Sequence, residues 1–335
     1  MYILNILSST RRHLLALSVA FTAMAVSCIA AAQAPYPNRP ITLVVPFGAG
    51  GETDTFARSV ASELTEVLGQ PVIVMNRAGA TGIIATEFVA RSKPDGYTLI
   101  FGTAATHALN LSVYKSLPYD PLKSFEPIAL VGTVPVILYA HPSMPSNALD
   151  FIAKLKANPK KYFFGTAGLS TPYLSVEMFL NAAKIPRSNV QAVAYKGNGE
   201  AVQGLIGDQV QFLGGGLSLG RELVKAGKLN AIAVLSDKRL AAAPEIPTLL
   251  EAASLPLEVG TWNVVMAPAG TSQDIVERLN TAINKIMKKP AIQDRLAGYG
   301  IRPVADSTPA STKKFVAAEI IKWREAFKLT SLEAQ

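Results

Sequence analysis

Cysteine is nearly absent from this 335-residue chain, and the single one, Cys28, lies close to the N-terminus. A lone cysteine leaves no disulfide framework and no thiolate metal site. Histidine is equally scarce, with three in all: His13 near the start, then His107 and His141. Two isolated histidines and no acidic cluster do not make a metal centre, and no cofactor is implied. Charged residues are only 17% of the chain and aromatics 7%. No Lys/Arg-rich run interleaved with aromatics occurs, which excludes a nucleic-acid binder. Hydrophobic residues, at 49%, mark a globular rather than a disordered chain.

Charge is also missing from residues 14–32, directly after Arg11 and Arg12. Ala30, Ala31, Ala32, Gln33 and Ala34 follow, then Pro35. A basic start, an apolar run and an A-x-A-like end describe a secretory signal peptide over residues 1–34, cleaved between 32 and 34. A retained membrane anchor is the alternative, since the run is nearly long enough to span a bilayer. Its small residues and the lack of a following basic cluster argue for cleavage and export to the periplasm. Ala25-Val26-Ser27-Cys28 loosely resembles a lipobox, but the usual leucine is missing. Cleavage leaves a chain without cysteine, carrying 30 basic and 24 acidic residues for a net +6. That mild excess suits an anionic small ligand.

Short β-branched runs alternate with amphipathic stretches. Strands are expected at 41–45, 72–75, 97–101, 128–131, 134–139, 162–165, 190–195, 210–213, 230–235 and 262–266. Helices are expected at 55–68, 149–157, 173–183, 201–206, 275–288 and 309–329, the last with Phe315, Ile320, Trp323 and Phe327 on one side. This alternation predicts α/β layers with largely parallel sheets. The pattern breaks near 132–135 and again near 255–261. Two breaks fit two lobes joined by a two-stranded hinge, residues 35–133 plus 263–335 forming one and 134–262 the other.

Open α/β sheets bind ligands beyond the carboxyl ends of their strands. After the first strand comes Pro46-Phe47-Gly48-Ala49-Gly50-Gly51-Glu52-Thr53-Asp54. Thr103, Thr106 and His107 follow the third strand, and Gly165, Thr166, Ala167, Gly168 and Ser170 end the 162–165 strand. Tyr195, Lys196, Gly197, Asn198 and Gly199 end the next one, and Gly214-Gly215-Gly216 the one after. Glycine-rich loops running into helices turn backbone N–H groups and positive helix ends toward an anion. Gly48, Ala49, Gly50, Gly51, Gly165, Thr166, Ala167, Gly168 and Ser170 are read as a carboxylate cradle. Phe47 is an apolar wall, Thr103, Thr106 and His107 reach the distal end of the ligand, and Tyr195 floors the second lobe with Gly215 beside it. Asp54 reads as a helix cap and Lys196 as a solvated charge.

Two motifs compete. Gly48-x-Gly50-x-x-Thr53 approaches the dinucleotide fingerprint but lacks the third glycine, and the second strand ends at Asn76-Arg77 rather than an acid. Gly216-Leu217-Ser218-Leu219-Gly220 matches the nucleophile elbow of serine hydrolases. Both His107 and His141 precede Ser218, against the order that fold requires, so a secreted hydrolase using Ser218 is the alternative reading.

Several segments together resemble the Bug-type receptors of tripartite tricarboxylate transporters. They include residues 41–54, Asn76-Arg77-Ala78-Gly79, Lys93-Pro94-Asp95-Gly96-Tyr97-Thr98 and Leu117-Pro118-Tyr119-Asp120-Pro121. Gly165-Thr166-Ala167-Gly168, Tyr195-Lys196-Gly197, Lys225-Ala226-Gly227-Lys228-Leu229 and Ala267-Pro268-Ala269-Gly270-Thr271 continue the series to about residue 329. The resemblance implies a type II periplasmic-binding fold that closes like a Venus flytrap. It implies a small organic acid as ligand, a mono- or dicarboxylate, and transporter subunits in the membrane as partners. A monomer is expected. It places the ligand carboxylate between loops 47–51 and 165–170. Similar receptors commonly show an aromatic, an acid and a small residue where this chain has Gly214-Gly215-Gly216. The lost acid and the added room predict a ligand without an essential amino group, bulky or aromatic ligands included.

Overall fold

The computed structural model describes residues 35–157, 162–330 and 332–334. The leader read at 1–34, with its Cys28, lies outside the described residues. Arg39–Gln335 forms one compact unit, to which everything below refers.

Strands β1 (Ile41–Val45), β2 (Val72–Asn76), β3 (Thr98–Thr103) and β4 (Phe125–Pro135) come first. Strands β5 (Ile137–Ala140), β6 (Tyr162–Thr166), β7 (Val190–Ala194), β8 (Phe212–Gly215) and β9 (Asn230–Val234) follow, and β10 (Gly260–Pro268) and β11 (Arg302–Pro303) end the series. Helices α1 (Glu52–Leu68), α2 (Ile83–Ala90), α3 (Asn110–Val113), α4 (Ala148–Ala157) and α5 (Thr171–Ala182) occupy the first half. Helices α6 (Asn198–Ile206), α7 (Leu217–Lys225), α8 (Leu249–Ala253), α9 (Gln273–Met287), α10 (Pro290–Gly298) and α11 (Pro309–Lys328) complete the set.

The strands form two sheets, in the orders β11-β4-β10-β3-β1-β2 and β7-β6-β8-β5-β9. Each centres one lobe of a type II periplasmic-binding fold, and the chain crosses between lobes along β4 outward and β10 back. The expectation of largely parallel sheets needs correction. Only β1, β2 and β3 in one sheet and β6, β7 and β8 in the other are parallel. Strand β10 runs antiparallel to β3 and β4, and β5 to β8 and β9. A chain that leaves a lobe and returns must bring its two crossing segments together head to tail.

Central β1 is buried at Ile41, Leu43, Val44 and Val45, as expected for a strand covered on both faces. Helix α1 buries Phe56, Val60 and Leu64 at i, i+4 and i+8 and stops at Gly69, whose φ of 69° closes the last turn. Strand β4 takes in the strand expected at 128–131 and the first two residues of that expected at 134–139, most of which is the separate β5. Gly132 does not interrupt it, because a side chain there would strike Phe56 and the Arg302 carbonyl. Helix α11 starts on a reciprocal Thr308–Ser311 cap with Pro309 in its first turn. Its buried Glu319 accepts from the indole N–H of Trp262 at 2.7 Å and of Trp323 at 2.9 Å, fastening the helix to β10.

At the hinge the crossing strands come so close that a side chain on Gly260 would meet the Val134 carbonyl. Arg302, on edge strand β11, reaches the other lobe. Its guanidinium bonds Asp237 at 2.9 Å and the Ser236 hydroxyl at 3.1 Å, and it also touches the Lys238 carbonyl. Beside it Leu217 of α7 packs on Gly300.

Thr103, Thr106 and His107 lie under β3, in and before the single π-helical turn Ala105–Leu109, and all three are buried. His107 Nδ1 sits 2.8 Å from the Thr106 hydroxyl, with the ring against Phe125 and filling the space over Gly102. Burial holds its pKa down to about 3. The fold therefore keeps His107 neutral, while the unfolded chain takes its proton near pH 6.5. Stability is complete above that value and is lost as pH falls toward 3, by about 2 kcal/mol at pH 5. His107→Gln should flatten this loss in thermal melts between pH 7 and 5; parallel slopes for the two proteins would contradict it.

Replacing Arg302 with Met keeps the bulk and removes the bonds to the far lobe. Partly exposed ion pairs and carbonyl hydrogen bonds each contribute about 1 kcal/mol or less. We expect a Tm lower by about 2–4 °C and faster amide exchange in residues 133–136 and 259–262. Unchanged exchange in those strands would show that the arginine does not restrain the hinge.

Candidate functional site

The loop after β1 is shaped by an acid that follows it. Asp54 accepts from the Gly50 amide and Arg58 Nε, both at 2.9 Å, and from Asn76 Nδ2 at 2.8 Å. Asn76 also donates to the Phe47 carbonyl at 3.0 Å. Burial alone would raise the Asp54 pKa, but these donors outweigh it and hold the carboxyl below its ordinary value. Asp54 is thus a brace inside α1 and not its cap, which is Gly51. The bracing needs a left-handed residue, supplied by Gly50 at φ 80°. Gly48, Ala49, Gly50 and Gly51 are exposed and Phe47 is half-buried.

The loop after β6 is built similarly. The Thr166 hydroxyl donates to the Gly168 carbonyl at 2.7 Å, Gly168 takes φ 66°, and Ser170 caps α5 through the Tyr173 amide. Helix α6 begins at Gly197 and α7 at Gly216. Tyr139 donates to the Gly216 carbonyl at 3.2 Å, so strand β5 fixes the start of α7.

These helix starts meet in one crevice of about 280 Å³. Glu52 contributes the first turn of α1, Thr171 and Pro172 that of α5, and Asn198 that of α6. The start of α7 adds Gly216, Ser218 and Leu219, with Gly214 and Gly215 before it. Hinge residues Val134, Val136 and Thr261 close one side. Four helices, each of nine residues or more, thus direct their amino ends at a space shared by both lobes. No lysine or arginine lines it.

Of the residues read from sequence, Gly215 lines this crevice directly. The loops of Phe47, Gly48, Ala49, Gly50 and Gly51 and of Thr166, Ala167, Gly168 and Ser170 lead straight into turns that do. Gly165 is buried, with its open side facing Val210 and Tyr195. Two placements differ from expectation, that of Thr103, Thr106 and His107 and that of Tyr195, whereas Lys196 is solvated as expected. Thr103, Thr106 and His107 belong to the core beneath β3 rather than to the crevice wall: Thr103, Thr106 and His107 Nδ1 bond one another, and His107 Nε2 is buried without a partner. Tyr195 lies flat on Gly204 of α6 with its hydroxyl 3.5 Å from Gln209, outside the crevice lining.

The glycine run leaves no spare room. A side chain on Gly214 would press on Val136, Val176 and the Pro172 carbonyl, one on Gly215 would collide with Leu219, and one on Gly216 would lie 3.2 Å from Glu52 Oε2. An acid, Glu52, faces the run from the other lobe. Glu52 was overlooked because, one residue past the glycines, it reads as an ordinary acid of a helix first turn. Glu52 as a whole is exposed, while the protein crowding its carboxyl pushes the Glu52 pKa up to about 7.

Ser218 sits in the first turn of α7, and no histidine lines the crevice with it. His107 is buried and neutral. His141 follows the far end of β5, bonded to Ser143 at 2.8 Å, whereas Gly215 pairs with Ile137 at the near end. Among the described residues no group of three metal-ligating side chains exists and no helix is long and apolar enough to cross a membrane. A larger hollow of about 710 Å³ lies along Arg39, Arg77, Arg91, Lys93 and Tyr97, where Asp95, Glu87 and the Phe88 ring engage the three arginines.

Residues 56–332 match the model of the tripartite tricarboxylate transporter family receptor. Protein BugT of Bordetella pertussis is 38% identical over 86% of this chain and 88% of its own. A Pseudomonas protein encoded between tcbD and tcbE is 36% identical over 87% and 86%. Among solved structures, an R. palustris protein with adipate has a TM-score of 0.78 at 34% identity, covering 90% of this chain and all of its own. MatC from Rhodopseudomonas palustris with bound malate gives 0.73 at 32%, covering 87% and 100%. The two lobes, the crevice of helix starts and this family match agree, and the chain belongs to the receptors of the tripartite tricarboxylate transporter family.

Proposed function

We propose that this periplasmic solute-binding protein captures a small organic carboxylate in the crevice between its lobes and delivers it to the membrane subunits of a tripartite tricarboxylate-type transporter. The observation that carries the reading is the convergence of four helix amino ends on one space without a cationic side chain. Backbone dipoles and amides attract an anion there without transforming it. The carboxylate would rest on loops 47–51 and 165–170, whose exposed glycines adjoin the crevice. Relatives of the same fold hold adipate and malate, which supports an organic acid here. Family members are receptors rather than enzymes, and the Ser218 segment is read as a helix start.

Closure follows from contacts made to both lobes at once, since a ligand shifts an equilibrium only by its differential affinity for the two states. In this reading residues 35–133 with 263–335 move against 134–262, which is supported by β4 ending at Pro135 and β10 starting at Gly260. Export would follow cleavage of residues 1–34, and a single copy suffices to close the site.

A thermal-shift panel of organic acids should yield at least one that raises the Tm with its concentration. Gly50→Val and Gly168→Val place a branched side chain in left-handed backbone at a cost of about 1–2 kcal/mol, with open space around the new atoms. Calorimetry should show affinity for that acid reduced tenfold or more while the fold persists. Undiminished affinity in both variants would remove these loops from the site.

A further inference from the structure

Glu52 is the sole charged side chain among the residues lining the crevice, and nothing in the protein neutralises it. The other polar groups there are the hydroxyls of Thr171, Ser218 and Thr261 and the Asn198 amide, none of which titrates near neutral pH. No ion pair engages Glu52 among the described residues. Its carboxyl spans the gap from α1 in one lobe to the Gly216 start of α7 in the other, so Glu52 must face whatever lies between them.

We infer that Glu52 sets the specificity of the crevice by receiving a cationic nitrogen, so that the preferred ligand is a zwitterion carrying one carboxylate and one ammonium group. This rests on the carboxylate reading above. An anion held at the helix starts leaves its other end near Glu52. Once the lobes close over the ligand, a methyl group there would shut the acid from water without compensation, and a second carboxylate would add repulsion between like charges. An ammonium group satisfies the acid and lets the lobes close over a neutral pair. The raised pKa of Glu52 agrees with a carboxyl crowded by protein and awaiting a partner. Because the ammonium needs the ionised acid, affinity for the zwitterion should rise with pH through about 7 and level off above.

The test is titration calorimetry at pH 8 with straight-chain acids of three to six carbons whose far end is methyl, carboxylate or ammonium, for example butanoate, succinate and 4-aminobutanoate. In the wild-type protein the ammonium acid should bind at least tenfold more tightly than its two counterparts of best length. Glu52→Gln should lose that advantage tenfold or more and gain affinity for the dicarboxylate, with no fall in Tm. A dicarboxylate or plain acid that binds the wild type as well as the ammonium acid overturns the inference, as does an order of preference unchanged by Glu52→Gln. Dicarboxylate affinity climbing tenfold per pH unit as pH falls below 7 would also overturn it, showing that Glu52 serves as a protonated donor. If no acid of any series binds, the carboxylate reading itself fails and this inference goes with it.

Discussion

Both lobes hang on the antiparallel pairing of β4 with β10. That ladder runs from Phe125 opposite Pro268 to Pro135 opposite Gly260, first through the core of one lobe and then out along the hinge. At its outer end the two backbones approach so closely that only glycine fits at position 260. Any side chain on Gly260 would wedge the two crossings apart at the Val134 carbonyl and loosen the geometry that aligns the helix starts. A hinge this narrow concentrates rotation into a few residues. Other links between the lobes are Arg302 with the segment after β9, the Arg221 guanidinium on the Gly298 carbonyl, Leu217 on Gly300 and the packing of α11 against α5.

Much of this architecture is legible in the residues, because strand-forming runs such as residues 41–45 and 162–165 advertise burial on both faces. Direction is a different matter. Nothing local in residues 128–139 or 262–266 tells a parallel strand from an antiparallel one, since that depends on where the chain goes next. Gly132 reads as a break for the same reason. Its cause is the Phe56 ring pressing from α1, a contact across more than seventy residues that no local pattern records.

Glycine itself was the signal for the crevice, but it carries three meanings that look alike in a sequence. Gly50 and Gly168 are glycine because the backbone there is left-handed. Gly214, Gly215 and Gly216 are glycine because neighbours already occupy the space a side chain would fill. Gly165 is glycine to admit Val210 and Tyr195 beneath it. Reading all of them as a cradle finds the right place and misjudges the shape. Thr106 and His107 show the reverse error. Polar residues after a strand suggest a site, yet here the imidazole is sealed in the core, with Nδ1 matched to the Thr106 hydroxyl and Nε2 left among apolar neighbours.

Glu52 and Asp54 stand two residues apart in the same helix turn, and their contrast shows where the chemistry of the site comes from. Asp54 points back into its own lobe, collects three donors and stays ionised, so its charge is consumed in holding the loop. Glu52, on the opposite face of that turn, points across the hinge, finds no donor and resists ionisation. The helix dipole favours both charges equally, so it cannot account for the difference. Partners do. One acid belongs to the fold because the fold satisfies it. The other is left for something that enters between the lobes, and an unsatisfied charge at the contact line of two moving bodies both opposes their closure while the crevice holds only water and rewards it when a complementary group arrives.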